Sequence, residues 1–299
     1  MITIKSKISF YSQENKLIGY LYQPDNIVDN EVRSTILLVP PQAGVKEQTV
    51  DEYAQRLSAH GFICLTFDHA TFGDSEGEPR FYENPYNKSE DISAAVTYLS
   101  TLDIVDKKSI FGLGICSGGG YLSHTAVTDR RISKVATVNA YFDHRGFYRS
   151  LFSQKDLDEL LSSVNNARLQ FVNGEAISYL PHAPENCTPD TPKLFQEFYE
   201  YYMTDRGIKG KYESKFLPWS YEKLLTFSAL DNANFLAPTP LLMIIGELAG
   251  SKNESEQMYK EASEPKELFE IDSANHIDLY DKSIFVERAI DKLIAFYRL

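Results

Sequence analysis

The stretch Ser109-Ile110-Phe111-Gly112-Leu113-Gly114-Ile115-Cys116-Ser117-Gly118-Gly119-Gly120 runs from an apolar segment, through a cysteine bracketed by glycines, into a glycine triplet. Residues 109–113 read as a strand, and residues from about 118 to 127 as a helix. A strand that turns abruptly into a helix with the pattern Gly-x-nucleophile-x-Gly at the corner is a nucleophile elbow. The nucleophile there takes a strained backbone conformation, and a Cβ two residues away on either side would clash. Register selects Cys116: Gly114 and Gly118 bracket it, whereas Ser117 has Ile115 two places before it. Ser117 is expected to contribute only its backbone N–H to an oxyanion hole. The blander reading of the same stretch is a structural glycine-rich turn around a buried thiol.

Outward from the elbow the pattern is one of alternation. Residues 2–10 and 17–22 read as an antiparallel strand pair, with Met1-Ile2-Thr3-Ile4-Lys5 already alternating polar and apolar residues. Continuous apolar runs at 35–39 and 62–67, and runs at 132–138, 240–245 and 267–271, read as further strands, several buried on both faces. Helical spacing separates them, at about 47–60, 89–102, 254–262 and 282–297. Strands alternating with helices predict an α/β fold, a mostly parallel sheet with helices on both faces. From 144 to 237 long amphipathic, aromatic-rich stretches (156–172, 194–203, 221–227) replace the strands. They predict an inserted helical cap, leaving 1–143 and 238–299 as the core.

Composition narrows the function. The 299 residues carry a net charge of −12 and no clustered basic face, which argues against a nucleic-acid partner. No apolar run is long enough to span a bilayer, and the N-terminus lacks the basic start and apolar stretch of a signal peptide, so no membrane partner and a cytoplasmic location are expected. Cys64, Cys116 and Cys187 form no CxxC pair, and so small a set implies neither a disulfide framework nor a metal site. No cofactor is expected. A homodimer is left open.

The base of a cysteine nucleophile should follow the last strand, in the order nucleophile, acid, histidine. Of six histidines, His276 stands there, in Ser273-Ala274-Asn275-His276-Ile277-Asp278. The acid is sought after strand 240–245, where Glu247 is the nearest carboxylate. Asp143 is the alternative, and a Cys–His pair oriented by water or a backbone carbonyl is a third reading. The second oxyanion donor should come from Pro40-Pro41-Gln42-Ala43-Gly44; prolines have no N–H, which leaves Gln42 or Ala43. Asp68, Asp74 and Arg80 lie on the same edge and are expected to brace a loop.

These segments carry a resemblance. Pro41 to Gln48, Phe67-Asp68, Gly73 to Arg80, the elbow at 112–120, Pro238 to Leu242 and His276-Ile277-Asp278-Leu279-Tyr280-Asp281 resemble the dienelactone-hydrolase-like branch of the α/β-hydrolases. The likeness extends to microbial α/β hydrolases related to polyketide transferases and thiohydrolases. It implies an α/β-hydrolase fold, Cys116 as nucleophile and His276 as base. It does not settle the substrate: a small ester, lactone or thioester is expected, and aromatics between Phe147 and Trp219 should line an apolar cavity above Cys116 that prefers a hydrophobic or aromatic acyl group. Transfer of the acyl group to another acceptor, and a non-enzymatic ligand-binding or redox-sensing role, stand as alternatives.

Overall fold

The computed structural model describes residues 2–28 and 31–299, so that Met1, the first residue of the alternating N-terminal stretch, lies outside them. Eight strands form one sheet: β1 (Thr3–Ser12), β2 (Asn15–Pro24), β3 (Arg33–Val39), β4 (Ile63–Phe67), β5 (Val105–Ile115), β6 (Ile132–Val138), β7 (Leu241–Gly246) and β8 (Lys266–Ile271). Their spatial order is β1-β2-β4-β3-β5-β6-β7-β8. The β1–β2 and β2–β4 pairings are antiparallel and the remaining five are parallel.

The inner stretches of the central strands, such as 36–39, 110–115 and 241–245, are apolar because helices cover both faces. Within β3 the side chains alternate. Ile36 and Leu38 join the core beneath α1 (Thr49–Ala59), where Val50, Tyr53 and Leu57 pack. Leu37 and Val39 join the opposite core beneath α2 (Pro85–Thr101) and α3 (Ser117–Ala126), with Ile92, Val96 and Leu122. Each such side chain contributes about 1.5–3 kcal/mol on burial, and two cores of this kind hold the sheet between its helical layers. Helix α2 begins four residues before its expected start. The Asn84 side chain accepts from the amides of Tyr86 and Asn87, and Pro85 has no N–H to lose at the first helical position.

Between β6 and β7 the chain leaves the sheet for residues 139–240. Here lie α4 (His144–Ser150), α5 (Gln154–Val172), α6 (Lys193–Tyr202) and α7 (Tyr221–Leu224), with 3₁₀ turns at Pro218–Ser220 and Ala229–Phe235. The only extended pairing described here is one antiparallel bridge, Leu180 to Phe216. Small aromatic cores of their own, such as Val164 with Leu217 and Trp219, tie these helices together. The chain then completes the sheet with α8 (Lys252–Glu261), α9 (Asp278–Asp281) and α10 (Ser283–Arg298). Among the described residues no helix is long and apolar enough to cross a membrane.

Asp68, Asp74 and Arg80 act in the architecture. Buried Lys46 binds Asp68 at 2.7 Å and Asp74 at 3.1 Å, and Arg80 donates to the carbonyls of Ser75 and Gly73. They fix the loop after β4 against the loop after β3.

At the β5–α3 corner the glycines are dictated by contact. A Cβ on Gly118 would lie 2.4 Å from the carbonyl oxygen of Val39, and one on Gly114 would lie 2.5 Å from that of Gly118. Backbone cannot yield as a side-chain tip can. Gly118→Ala is therefore expected to destabilise the fold by about 1–3 kcal/mol, the usual range for overpacking. A thermal melt checks this, and an unchanged Tm would show that the corner relaxes freely.

Candidate active site

Cys116 stands at the corner with φ 55° and ψ −128°, a left-handed conformation that costs a non-glycine residue about 1–3 kcal/mol. Its backbone is gripped from β6 and beyond. The amide donates to the Val138 carbonyl (3.0 Å), while its own carbonyl accepts from Gly119 (2.9 Å) and Tyr141 (3.1 Å). The thiol is thereby lifted to the sheet edge at the N-terminus of α3. The Ser117 hydroxyl lies 4.0 Å from Sγ, and the backbone amides of Ser117 and Gln42 both favour the thiolate. Ala43 does not share this role. Its N–H donates to the buried Glu83 carboxylate at 2.9 Å, so Gln42 is the donor from this loop that faces the thiol.

His276 follows β8 and is fully buried. Its ring lies between two hydroxyls: Nδ1 is 2.9 Å from Ser251 Oγ, and Nε2 is 3.2 Å from Tyr280 Oη. Neither expected carboxylate reaches it. Glu247 is exposed and accepts the Ser273 amide at 2.7 Å, supporting a residue whose φ is 62°. Asp143 pairs with Arg145 at 3.8 Å and precedes α4. The group that Nδ1 meets is instead Ser251, at the start of α8.

Two further residues hold the histidine loop. The Asn139 amide nitrogen donates to the His276 carbonyl (2.8 Å), and its oxygen accepts the Gly246 amide (2.8 Å). Asn275 and Asp278 exchange reciprocal bonds, each accepting the other's amide, at 3.1 and 2.8 Å.

With a hydroxyl where a carboxylate would stand, nothing negative compensates a charged ring. Burial alone pushes the His276 imidazole down to about 3. Burial also pushes the Cys116 thiol up from its ordinary value, against the opposing pull of Tyr280, Ser117 and Gln42. The resting pair is thus neutral thiol and neutral imidazole. If the Nδ1 proton is given to Ser251, the Nε2 lone pair faces Tyr280.

A cavity of about 260 Å³ opens above Cys116. Helices α4, α6 and α7 and the loop at 181–184 wall it, chiefly with Phe147, Tyr148, Phe195, Phe198, Tyr202 and Tyr221. No Asp, Glu, Lys or Arg lines it among the described residues. His144 and His182 do, and burial lowers both to about 4, which keeps them neutral near pH 7. Tyr148 of α4 exchanges hydrogen bonds with the Gln42 side chain at 2.6 and 2.9 Å, joining the inserted helices to the oxyanion loop.

No family model matches the chain. Among known proteins, YcjY of Escherichia coli K12 is 33% identical over 302 positions, covering 98% of both chains. PA2218 of Pseudomonas aeruginosa is 31% identical over 89% of this chain and 73% of its own. Its crystal structure superposes with a TM-score of 0.90, at 28% identity over 99% and 93% of the two chains. The polyketide transferase GrgF of a Penicillium species is 26% identical over 82% of each chain. Its structure, described as that of an α/β hydrolase, gives a TM-score of 0.86 at 23% identity over 99% and 98% of the chains. The chain belongs to the α/β-hydrolase superfamily.

Within that superfamily frame, the unanticipated residues here are Ser251, Tyr280, Asn139 and Glu83. A search for carboxylates after β7 passes over Ser251, although it is the first hydroxyl in that loop.

Two measurements follow for this α/β hydrolase. Ser251→Ala removes one neutral hydrogen bond from Nδ1, about 1–1.5 kcal/mol, and is expected to slow turnover about tenfold. Glu247→Gln and Asp143→Asn should each change the rate by less than about threefold, since neither touches the ring; a larger loss from either would restore a carboxylate to the triad. The second measurement is thiol alkylation. A thiol raised above its ordinary value of 9.0 is protonated at pH 7. Its reaction with iodoacetamide should climb about tenfold per pH unit up to pH 9. A plateau between pH 6 and 8 would instead reveal a thiolate–imidazolium pair.

Proposed function

We propose that the protein catalyses acyl transfer from an ester, lactone or thioester through a covalent thioester on Cys116, with His276 as base and water as the usual acceptor. One observation carries this reading: Cys116 lines a cavity walled chiefly by aromatic side chains, and two backbone amides, from Gln42 and Ser117, favour the charged form of its sulfur.

The chemistry follows from that placement. The Cys116 sulfur adds to the substrate carbonyl carbon as its proton passes toward His276. The carbonyl π electrons move to oxygen, where the Gln42 and Ser117 amides hold the developing charge in a site of low dielectric. Collapse of the adduct expels the alkoxide or thiolate, which takes the proton back, and leaves the thioester. Water, deprotonated by the same imidazole, then releases the acid. Ser251 positions the ring without supplying charge, so the imidazolium forms only as the oxyanion forms.

The uncharged aromatic walls favour a neutral hydrophobic or aromatic acyl group, and we read residues 144–237 as the cap that shapes its pocket. Transfer to an acceptor other than water is a second reading, supported by the likeness to the polyketide transferase GrgF. A redox-sensing role fits poorly. Sensor thiols are exposed and of low pKa, whereas Cys116 is 5% exposed and its thiol is raised.

Incubation with a p-nitrophenyl ester of an aromatic acid, followed by peptide mass spectrometry, tests the reading. An acyl adduct is expected on Cys116, with no adduct and no turnover in Cys116→Ala. Ser117→Ala should keep most of the activity because its part is played by a backbone N–H. An adduct on Ser117, or full turnover by Cys116→Ala, would refute the assignment.

A further inference from the structure

Cys116 and His276 share a neighbour, the hydroxyl of Tyr280. That phenol lies 3.2 Å from His276 Nε2, and the Cys116 thiol and the Tyr202 hydroxyl are its other polar neighbours. We propose that Tyr280 is a catalytic residue, the relay through which the Cys116 proton reaches His276, an inference that rests on the acyl-transfer reading above.

The placement of Tyr280 is built in from several sides. It belongs to α9, four residues after His276, so one turn of chain carries base and phenol to the same side. Its amide donates to the Ile277 carbonyl (2.9 Å), and its carbonyl accepts the Thr49 hydroxyl of α1 (3.1 Å). The ring meets Tyr201 edge-on at 5.0 Å and is fully buried. Backbone and ring are therefore fixed, and the hydroxyl's position is not an accident of a mobile side chain.

The chemistry needs a group that accepts and donates at once, which a phenol does. As the C–S bond forms, the thiol proton passes to Tyr280 Oη while the phenol's own proton passes to Nε2. The result is an acyl adduct, an intact phenol and an imidazolium. When the adduct collapses, Nε2 returns a proton to Tyr280 and the phenol's proton goes to the departing oxygen or sulfur. No phenolate accumulates: burial and the neighbouring thiol raise the Tyr280 hydroxyl well above its ordinary value, which requires both transfers to be concerted. Since Tyr202 belongs to α6, the relay also meets the inserted helices at its outer end.

A different role for the same geometry is a plug, a hydroxyl that must swing away before the histidine can reach the sulfur. Single-turnover acylation of Cys116 by a p-nitrophenyl ester, followed by rapid-quench mass spectrometry, separates the two. For Tyr280→Phe the relay predicts acylation slowed about a hundredfold or more, in the range of general acid–base contributions, with ester KM within about twofold of wild type. A plug predicts an equal or faster rate, and that result overturns the relay while leaving the Cys116 adduct in wild type. If wild type itself forms no adduct on Cys116, the acyl-transfer reading fails and the relay falls with it. Should circular dichroism show that Tyr280→Phe does not fold, the proton inventory of wild-type acylation in H₂O–D₂O mixtures decides. Two protons in flight give a bowed dependence on deuterium fraction, and a linear one overturns the relay.

Discussion

The left-handed backbone of Cys116 is the constraint from which the rest of the site follows. A non-glycine residue holds such a conformation only where its surroundings leave no alternative, and here both of its peptide groups are bonded to the β6 edge, through Val138 and Tyr141. The same edge carries Asn139, whose side chain grips Gly246 at the end of β7 and the carbonyl of His276. One short stretch, residues 138–141, thus sets both Cys116 and the loop of His276. Their relative position depends on neighbouring backbone in the parallel sheet rather than on a side-chain contact between them.

The electrostatics of the site differ from those of a charge-separated triad. Formal charge is kept out of the histidine's hydrogen-bond set, where Ser251 and Tyr280 are both neutral. It is placed instead beneath the oxyanion loop. There Glu83 accepts the Ala43 amide, the Tyr121 hydroxyl and an ion pair with Lys88, all buried. A buried ion pair is costly unless its remaining hydrogen-bonding capacity is satisfied; Glu83 meets that condition by holding the loop that presents Gln42. Charge here serves the scaffold, and the reacting groups meet in an uncharged chamber where a developing oxyanion feels two amides strongly.

The sheet was legible because its strands are short apolar runs whose period differs from that of the helices between them. The elbow was legible because steric exclusion leaves a glycine signature, and chain order was enough to single out His276 as a candidate. The partner of its Nδ1 was not, for a physical reason. A search for carboxylates presumes that the ring must meet a charge, whereas here Nδ1 meets the hydroxyl of a serine six residues beyond Ile245. Choosing between Gln42 and Ala43 was equally beyond the sequence, since the answer lies with Glu83, forty residues away, which occupies the Ala43 amide. Tyr280 was visible only as a letter in a motif. Its role depends on the single turn of α9 that aims it at the sulfur.

The reciprocal bonds between Gln42 and Tyr148 bear on how such a protein can diversify. If the helices between β6 and β7 shape a pocket for the acyl group, as proposed, one of them is also tied to the loop that carries the Gln42 amide. A lineage that reshapes this pocket cannot treat α4 as mere wall. It must keep at that point a side chain able to exchange hydrogen bonds with an amide, or re-anchor the β3 loop by other means. Change in substrate range would thereby be channelled toward α6, α7 and the 181–184 loop, with α4 held back as a hinge between inheritance and novelty.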